Sequence, residues 1–242
     1  MLFDKLTRGA ISDIIIERIT DALVSGELKP GDKIPTEMEF CEFLGVSRNS
    51  VREALKVLVA FGVLEIRRGE GTFIAQEFTQ QLLNPMIYGM LLAEKSAEDM
   101  VEFKNSNLLS IIVLAVKKGN EEDAAHLHTL VELLAHEFYN KPFDIDELYA
   151  CSQRFYSFLG RITRNPIMIQ LNEMVIKLSK YSRIKALVAA VETGQEDLLL
   201  STYREIATII KEKNRDGVYD VIDHVLRVWD KLLSIPAPAE VD

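Results

Sequence analysis

The sequence has few cysteines, glycines and prolines, and it lacks a long run of apolar residues. Its 242 residues include 2 Cys, 12 Gly and 7 Pro, whereas 48% of them are hydrophobic. This composition excludes a collagen-like, low-complexity or wholly disordered chain. The chain is long enough for one large or two modest domains, each with its own core.

Further absences bear on location and chemistry. Cys41 and Cys151 lie far apart and in no metal-ligand spacing, which predicts a reducing, cytoplasmic environment. The longest apolar runs, such as residues 108–116, are shorter than the roughly 20 residues that cross a bilayer, so we expect no membrane association. The sequence also lacks a dinucleotide-binding glycine motif, a phosphate loop, a zinc-protease motif and a nucleophile elbow. We therefore expect no enzyme.

Acidic residues outnumber basic ones in the whole chain and in its first third. The chain has 28 Lys and Arg against 37 Asp and Glu, a net charge of −9. Residues 1–76 hold ten basic and twelve acidic residues, a net charge of −2. A nucleic-acid partner would therefore have to be attracted by a local cluster of basic residues rather than by the total charge.

Hydrophobic periodicity divides the chain into two parts. Residues 1–76 are predicted to form three helices followed by two short β-segments around a glycine-rich turn, and residues 77–83 a polar linker. Residues 235–242 are predicted to be a tail. The helical period dominates between them, at about 84–94, 97–118, 121–139, 144–164, 166–185, 188–213 and 216–234. The expected fold class is mainly α, with an N-terminal winged helix-turn-helix followed by an all-α helical bundle at 84–234.

Two hydroxyl residues mark the starts of the second and third helices. Thr36 and Ser47 are predicted N-caps, because their side chains can accept hydrogen bonds from free amides of the first helical turn. Gly45 lies between the two helices and breaks the helical pattern. This arrangement is typical of a helix-turn-helix.

The start of the third helix carries the strongest nucleic-acid signal. Arg48 and Arg52 are four residues apart and share a helix face, so both guanidiniums can reach a guanine edge or a phosphate. Ser47 and Ser50 are expected to donate to phosphate, and Asn49 to read adenine. The alternative is a solvated helix face that carries two arginines.

A basic turn follows in the predicted hairpin. Arg67 and Arg68 adjoin Gly69 and Gly71, so the arginines can project toward a minor groove and the glycine amides toward a phosphate. A basic hairpin alone is weak evidence. Directly after a helix-turn-helix, it is much stronger evidence of a DNA-binding wing.

These features lie in residues 28–75, LKPGDKIPTEMEFCEFLGVSRNSVREALKVLVAFGVLEIRRGEGTFIA. This string resembles the GntR family of bacterial transcription regulators, in the FadR-like subgroup with a C-terminal FCD domain. The resemblance implies a homodimeric, nucleoid-associated repressor that binds a short palindromic DNA operator. It places the DNA contacts on Ser47, Arg48, Asn49, Ser50, Arg52, Arg68 and Gly69. Met38 stands where many relatives carry a DNA-contacting arginine, so the operator sequence is expected to differ.

Two strings resemble the FCD domain, namely FYSFLGRITRNP at 155–166 and YREIATIIKEKNRDG at 203–217. In many FCD regulators an Asp and three His hold a divalent metal beside a carboxylate effector. The resemblance places Ser152, Tyr156, Tyr203 and Arg227 at those positions, and these are poor metal ligands. It therefore implies a member without a metal cofactor.

We expect these side chains to line a polar pocket for a small anionic effector, with Lys104 as a second cation. The alternative is that the tyrosines are core residues with satisfied hydroxyls and that Arg227 is a surface salt-bridge residue. The expected function is a regulator whose operator affinity depends on this effector. A DNA-tethered protein-interaction scaffold without a ligand, and a helical-bundle enzyme with a nucleic-acid anchor, are the rival hypotheses.

Overall fold

The structure, a computed structural model, describes residues 8–76, 89, 96–140 and 142–235. The chain divides into two compact units, Met1–Leu91 and Leu92–Asp242. Among the described residues, no helix combines the length and the apolar character needed to span a bilayer. The predicted linker at 77–83, the predicted helix at about 84–94 apart from Gly89, and the predicted tail beyond residue 235 lie outside the described residues.

The N-terminal unit is a winged helix-turn-helix, as predicted. Its helices and strands are α1 Arg8–Ser25, α2 Glu37–Leu44, α3 Arg48–Ala60, β1 Leu64–Arg67 and β2 Gly71–Ile74. Helix α3 packs against both α1 and α2, and the two strands pair antiparallel with Leu64 opposite Ile74 and Arg67 opposite Gly71. The buried apolar side chains of this unit form one core, which comprises Ile15, Ile19, Ile34, Val51, Ala54, Leu55, Leu58, Leu64 and Ile74.

Both predicted N-caps are present. Thr36 Oγ1 accepts from the Glu39 amide at 3.3 Å, and the Glu39 carboxylate accepts from the Thr36 amide at 2.7 Å, which completes a capping box. Ser47 Oγ accepts from the Ser50 amide at 3.3 Å. Gly45 ends α2 with φ +65°, a left-handed conformation that glycine adopts without strain. These caps fix the turn between α2 and α3.

An extended segment before α2 pairs with the sheet. The Ile34 amide donates to the Thr72 carbonyl at 3.0 Å, and the Ile74 amide donates to the Asp32 carbonyl at 2.8 Å. The sequence pattern predicted no strand pairing in this segment, which contains Pro30, Gly31 and Pro35. Because one segment joins the sheet to the start of α2, the wing and the helix-turn-helix share one hydrogen-bonded framework.

The C-terminal unit is a helical bundle. Its described helices are α4 Ser96–Lys118, α5 Glu121–Tyr139, α6 Ile145–Ile162, α7 Pro166–Leu178, α8 Lys180–Glu192, α9 Glu196–Glu212 and α10 Val218–Leu233. Helix α5 packs against α6 and α9, while α10 packs against α4, α8 and α9. Tyr203, Phe138 and Phe155 are the largest fully buried side chains of its core.

The sequence predicted two helices, at 166–185 and 188–213, where the structure has three. The first break is Ser179, which is buried and donates its hydroxyl to the Val175 carbonyl at 2.6 Å. A serine bonded to the carbonyl four residues earlier competes with the helical ladder and bends the chain. The second break is at Gly194, which adopts φ +63°. Thus α8 is a separate helix, and it carries the buried Arg183.

Gly160 marks the closest approach of α6 and α7. A Cβ at this position would lie 2.5 Å from Nδ2 of Asn172, and this Nδ2 donates to the Tyr156 carbonyl at 2.8 Å. The glycine therefore leaves room for a buried hydrogen bond between the two helices.

We predict that Gly160→Ala destabilises the protein by about 1–3 kcal/mol, because overpacking displaces Asn172. Helix propensity alone predicts the opposite sign, a gain of about 0.5–1 kcal/mol. Urea unfolding followed by circular dichroism measures the difference, with Ser157→Ala on the same helix as the control. A Gly160→Ala protein as stable as the wild type would contradict the proposed close packing.

Candidate nucleic-acid interface and ligand cavity

Helix α3 presents a polar face opposite its buried stripe. Val51, Ala54, Leu55 and Leu58 are buried in the core, whereas Ser47, Arg48, Asn49 and Arg52 are exposed. The two arginines lie on the same exposed face, as their spacing predicted. The structure thus brings together four of the residues that the sequence assigned to DNA contacts.

One carboxylate holds both arginines of this face. Glu37, in the first turn of α2, accepts from Arg52 Nη2 at 3.0 Å and from Arg52 Nε at 3.2 Å. It also accepts from Arg48 Nε at 3.4 Å. The hydrogen bond from Arg52 is the main cause that lowers the pKa of Glu37, and the same contact raises the pKa of Arg52. The sequence pattern did not predict this contact, although Glu37 begins the helix that precedes the arginines.

The side chain of Ser50, for which the sequence predicted a phosphate contact, is buried in the structure. Ser50 is only 2% exposed, and its hydroxyl lies 2.9 Å from Ser47 Oγ beneath the start of α3. Its amide is also engaged, since it donates to the same oxygen. Ser50 therefore stabilises the helix N-terminus, and Ser47 is the exposed serine of the pair.

The two wing arginines differ in their surroundings. Arg67 forms an ion pair with Glu65, and its guanidinium lies 4.3 Å from the centre of the Phe73 ring. These contacts hold Arg67 on the hairpin, so it does not project freely toward a groove as predicted. Arg68 and Gly69 are exposed at the turn, where Gly69 adopts φ +79°. Arg68 is therefore the wing cation best placed to reach DNA.

The helical unit contains a cavity of about 100 Å³ between α4, α6, α7, α8 and α10. Its polar lining includes Lys104, Asn107, Asn172, Ser182, Arg183 and Asp230, and its apolar lining includes Tyr156, Val225, Leu226 and Trp229. Of the five residues predicted to bind an effector, Lys104 and Tyr156 line this cavity.

Ser152 and Tyr203 form a buried polar pair behind the cavity. Their hydroxyls lie 2.8 Å apart, and both residues are fully buried. The Tyr203 ring contacts that of Tyr156 with 5.5 Å between ring centres. Burial raises the pKa of both tyrosines, because it disfavours the phenolate. Ser152, Tyr156 and Tyr203 thus lie side by side and are all buried, and of the three only Tyr156 also lines the cavity.

Arg183 is the cation at the centre of this cluster, and the sequence analysis missed it. It is 7% exposed, and its Nη1 donates to Ser152 Oγ at 3.2 Å. Its guanidinium lies 4.0 Å from the centre of the Tyr156 ring and 5.5 Å from that of Trp229. Its Nε has no hydrogen-bond partner, and no carboxylate of the described residues pairs with it. A signal existed, since Arg183 shares the buried stripe of α8 with Ala186, Leu187 and Ala190.

The predicted role of Arg227 in the pocket is wrong. Its side chain is 70% exposed and forms an ion pair with Asp223, one turn earlier on α10, at 3.1 Å. The alternative given for it, a surface salt-bridge residue, is the one that the structure supports. Trp229 is the α10 residue that lines the cavity instead.

Lys104 supplies a second positive charge to the cavity. Its ammonium donates to Ser182 Oγ at 3.3 Å. Burial lowers the pKa of Lys104, the charge of Arg183 lowers it further, and Asp230 partly opposes both effects. Two cations that share one partly buried cavity repel each other, and an anion bound between them would relieve this repulsion.

The residues at the expected metal positions do not fit a divalent cation. Ser152 and Tyr203 offer neutral hydroxyls, and a guanidinium already donates to Ser152. Within the described residues, no three His, Cys, Asp or Glu side chains cluster at ligand distance. The chemistry of this cluster suits an anion.

An exposed basic helix on a winged helix-turn-helix, followed by a bundle with a cationic cavity, defines a transcription regulator with a sensory domain. Comparison with known families agrees with this class. Residues 11–74 match the model of the bacterial regulatory proteins of the gntR family, and residues 109–228 match the FCD domain. The chain belongs to the GntR family, in its FadR-like group with an FCD domain.

Similar proteins of known sequence are named as regulators. The chain is 26% identical to the uncharacterized HTH-type transcriptional regulator YcbG of Bacillus subtilis over 96% of this chain and 94% of that protein. It is 34% identical to the HTH-type transcriptional regulator LutR of the same organism, over 41% of this chain and 45% of that protein. Among solved structures, a GntR protein of Streptococcus agalactiae shares the fold with a TM-score of 0.53 and 22% identity, over 91% of this chain and 99% of that one.

We predict that Lys104→Met stabilises the ligand-free protein at neutral pH. The lowered pKa of Lys104 means that the folded state binds this proton less tightly than the unfolded state does. The stability of the wild type therefore rises with pH up to the usual lysine pKa of about 10.4, and the advantage of Lys104→Met should shrink over the same range.

Calorimetric unfolding of the full chain across this pH range measures both effects. Lys177→Met, which removes an exposed lysine of α7, serves as the control. It should neither stabilise the protein at neutral pH nor show an advantage that shrinks as the pH rises. A Lys104→Met protein no more stable than the wild type at neutral pH would contradict the stated cost of burying this ammonium.

Proposed function

We propose that this protein is a homodimeric repressor that binds a palindromic DNA operator and responds to a small carboxylate or similar anion bound in the FCD cavity. The observation that carries the ligand proposal is Arg183, a buried guanidinium that lacks a carboxylate partner among the described residues. Burying a charge is unfavourable unless an opposite charge or sufficient hydrogen bonds compensate it. A bound anion would supply this compensation.

The DNA-binding part of the proposal is supported by the exposed face of α3. Arg48, Asn49 and Arg52 are arginine and asparagine side chains that can form bidentate contacts with guanine and adenine edges. Ser47 at the helix N-terminus and Arg68 on the wing are suited to phosphate. A dimer doubles this set, which suits an operator with two matching half-sites.

The cavity dimensions favour a small ligand. A volume of about 100 Å³ is below the roughly 300–1,000 Å³ of drug-sized pockets. Arg183 can bind a carboxylate through its planar edge, and Lys104 can bind the same group or a second one. The apolar side chains of Val225 and Leu226 line the same cavity and can contact a short hydrocarbon part of the ligand.

The proposed response is a shift between two arrangements of the helical unit. The anion would contact α8 through Arg183 and α4 through Lys104, so it would favour the arrangement that holds both helices close to it. Operator affinity would change only by the difference in the anion's affinity for the two arrangements. A regulator named the Glc operon transcriptional activator, from Escherichia coli, is 25% identical to the chain over 67% of this chain and 64% of its own length. Control of an operon is therefore part of our proposal.

The scaffold hypothesis receives support from one observation only. The hydroxyls of Ser152 and Tyr203 satisfy each other, as expected of a solidly packed core. The cavity beside them and the free Nε of Arg183 favour a ligand sensor instead.

The DNA prediction is tested by selecting duplexes from a randomised pool with the full chain. Arg48→Ala and Arg52→Ala should each weaken binding to the selected duplex by about 1–3 kcal/mol if they read bases. Lys56→Ala on the same helix serves as the control for loss of a positive charge. Equal losses of affinity for the selected and the random duplex would show that the arginines contact phosphates rather than bases. Failure to enrich any sequence would contradict the proposed operator.

The ligand prediction is tested by the unfolding temperature of the full chain in a panel of monocarboxylates and dicarboxylates, with chloride at equal ionic strength. A carboxylate that binds should raise the unfolding temperature of the wild type by mass action. Arg183→Met should abolish this rise, whereas Arg227→Met should leave it intact. A rise that survives Arg183→Met would place the anion elsewhere.

A further inference from the structure

Glu37 binds two arginines that the proposed function assigns to DNA, although an acidic residue at a DNA-binding surface repels phosphate. Its carboxylate accepts three hydrogen bonds from Arg52 and one from Arg48. The Glu37 side chain is 31% exposed, whereas those of Arg48 and Arg52 are 69% and 46% exposed. Glu37 is therefore the inner member of the group and the arginines are the outer ones.

The two arginines use their inner edges for this contact. Arg52 donates from Nε and Nη2, and Arg48 donates from Nε alone. A guanidinium has five donors in a planar fork, so each arginine keeps the outer edge formed by its terminal nitrogens. This outer edge is the one that can form a bidentate contact with O6 and N7 of guanine.

The contact between Glu37 and the two arginines lowers the affinity for DNA of the wrong sequence. Residues 1–76 carry a net charge of −2, so the attraction to phosphate depends on a small number of arginines. A carboxylate beside two of them offsets part of their charge and restrains their side chains from turning to the nearest phosphate. A bidentate contact with a base compensates for this loss only where the guanine is correctly placed.

We propose that Glu37 is a positioning residue that sets sequence discrimination, because it holds the outer edges of Arg48 and Arg52 toward the bases and weakens their binding to phosphate. The proposal rests on DNA binding through α3, and it assigns to α2 a part in discriminating sequence. A purely structural carboxylate would affect the stability of the unit without changing the relative affinities for different duplexes.

The test compares Glu37→Gln with Glu53→Gln, which removes the same charge from an exposed position on α3 that has no ion pair in the described residues. Each full-length variant is titrated with a random-sequence duplex and with a duplex selected by the wild type, over a range of salt concentrations. Glu37→Gln should bind the random duplex more tightly than Glu53→Gln does. Its ratio of selected to random affinity should fall about tenfold, the value of one bidentate base contact.

The salt dependence gives an independent readout. If the released arginines turn to phosphate, the slope of log affinity against log salt on the random duplex should steepen by about one to two for Glu37→Gln and remain unchanged for Glu53→Gln. Glu37→Asp keeps the charge but shortens the side chain. It should retain the weak random binding and lose discrimination, and it also serves if Glu37→Gln folds poorly.

The proposal would be overturned if Glu37→Gln and Glu53→Gln had equal effects on three quantities. These are the affinity for the random duplex, the salt dependence of that affinity, and the ratio of selected to random affinity. The random duplex requires no operator, so this arm gives a result even if selection fails. Failure of selection would count against the proposed operator, and an unchanged slope with a successful selection would count against Glu37 alone.

Discussion

The buried guanidinium of Arg183 is the constraint on which the proposed ligand site of the helical unit depends. It lies at the point where α6, α8 and α10 meet, among the ring faces of Tyr156 and Trp229 and the hydroxyl of Ser152. Aromatic faces and a neutral hydroxyl compensate a charge only in part.

The two units of this acidic chain share one feature of charge placement. In each unit, the arginines that we propose to contact DNA or an anion are held by neighbouring side chains and keep at least one donor free. Glu37 occupies the inner edges of Arg48 and Arg52, and Ser152 and Tyr156 occupy one side of Arg183. A net charge of −9 therefore describes the protein poorly, because the few cations that we propose to contact DNA and an anion are held locally by their neighbours.

The sequence predicted the features that follow from local rules. Thr36 and Ser47 cap helices because Thr and Ser are among the preferred N-cap residues, and helix α5 begins and ends where its period predicted. The break at Ser179 was missed, because a buried serine becomes a helix breaker only through a hydrogen bond that the sequence pattern does not show. The pairing of residues 31–34 with β2 was missed for a similar reason, since it depends on contacts distant in the chain.

The positions of the candidate site residues could be predicted from the sequence where helical spacing determines them. They could not be predicted where tertiary packing determines them. Arg48 and Arg52 share a face because they are four residues apart. Arg227 was chosen by alignment to a family pattern, yet its position on α10 faces solvent beside Asp223. Arg183 belongs to no motif, and only its place on the apolar stripe of α8 distinguishes it from a surface arginine.

The central claim is that an anion at Arg183 and DNA at α3 are coupled, and reciprocity tests it most directly. If a carboxylate that stabilises the protein changes the affinity for the selected duplex by some factor, the duplex must change the affinity for that carboxylate by the same factor. Calorimetric titration of the carboxylate into the protein, with and without saturating duplex, measures this. Our account predicts that the carboxylate changes the duplex affinity, and that the duplex changes the carboxylate affinity by the same factor. A carboxylate affinity that is unchanged by the duplex would contradict it.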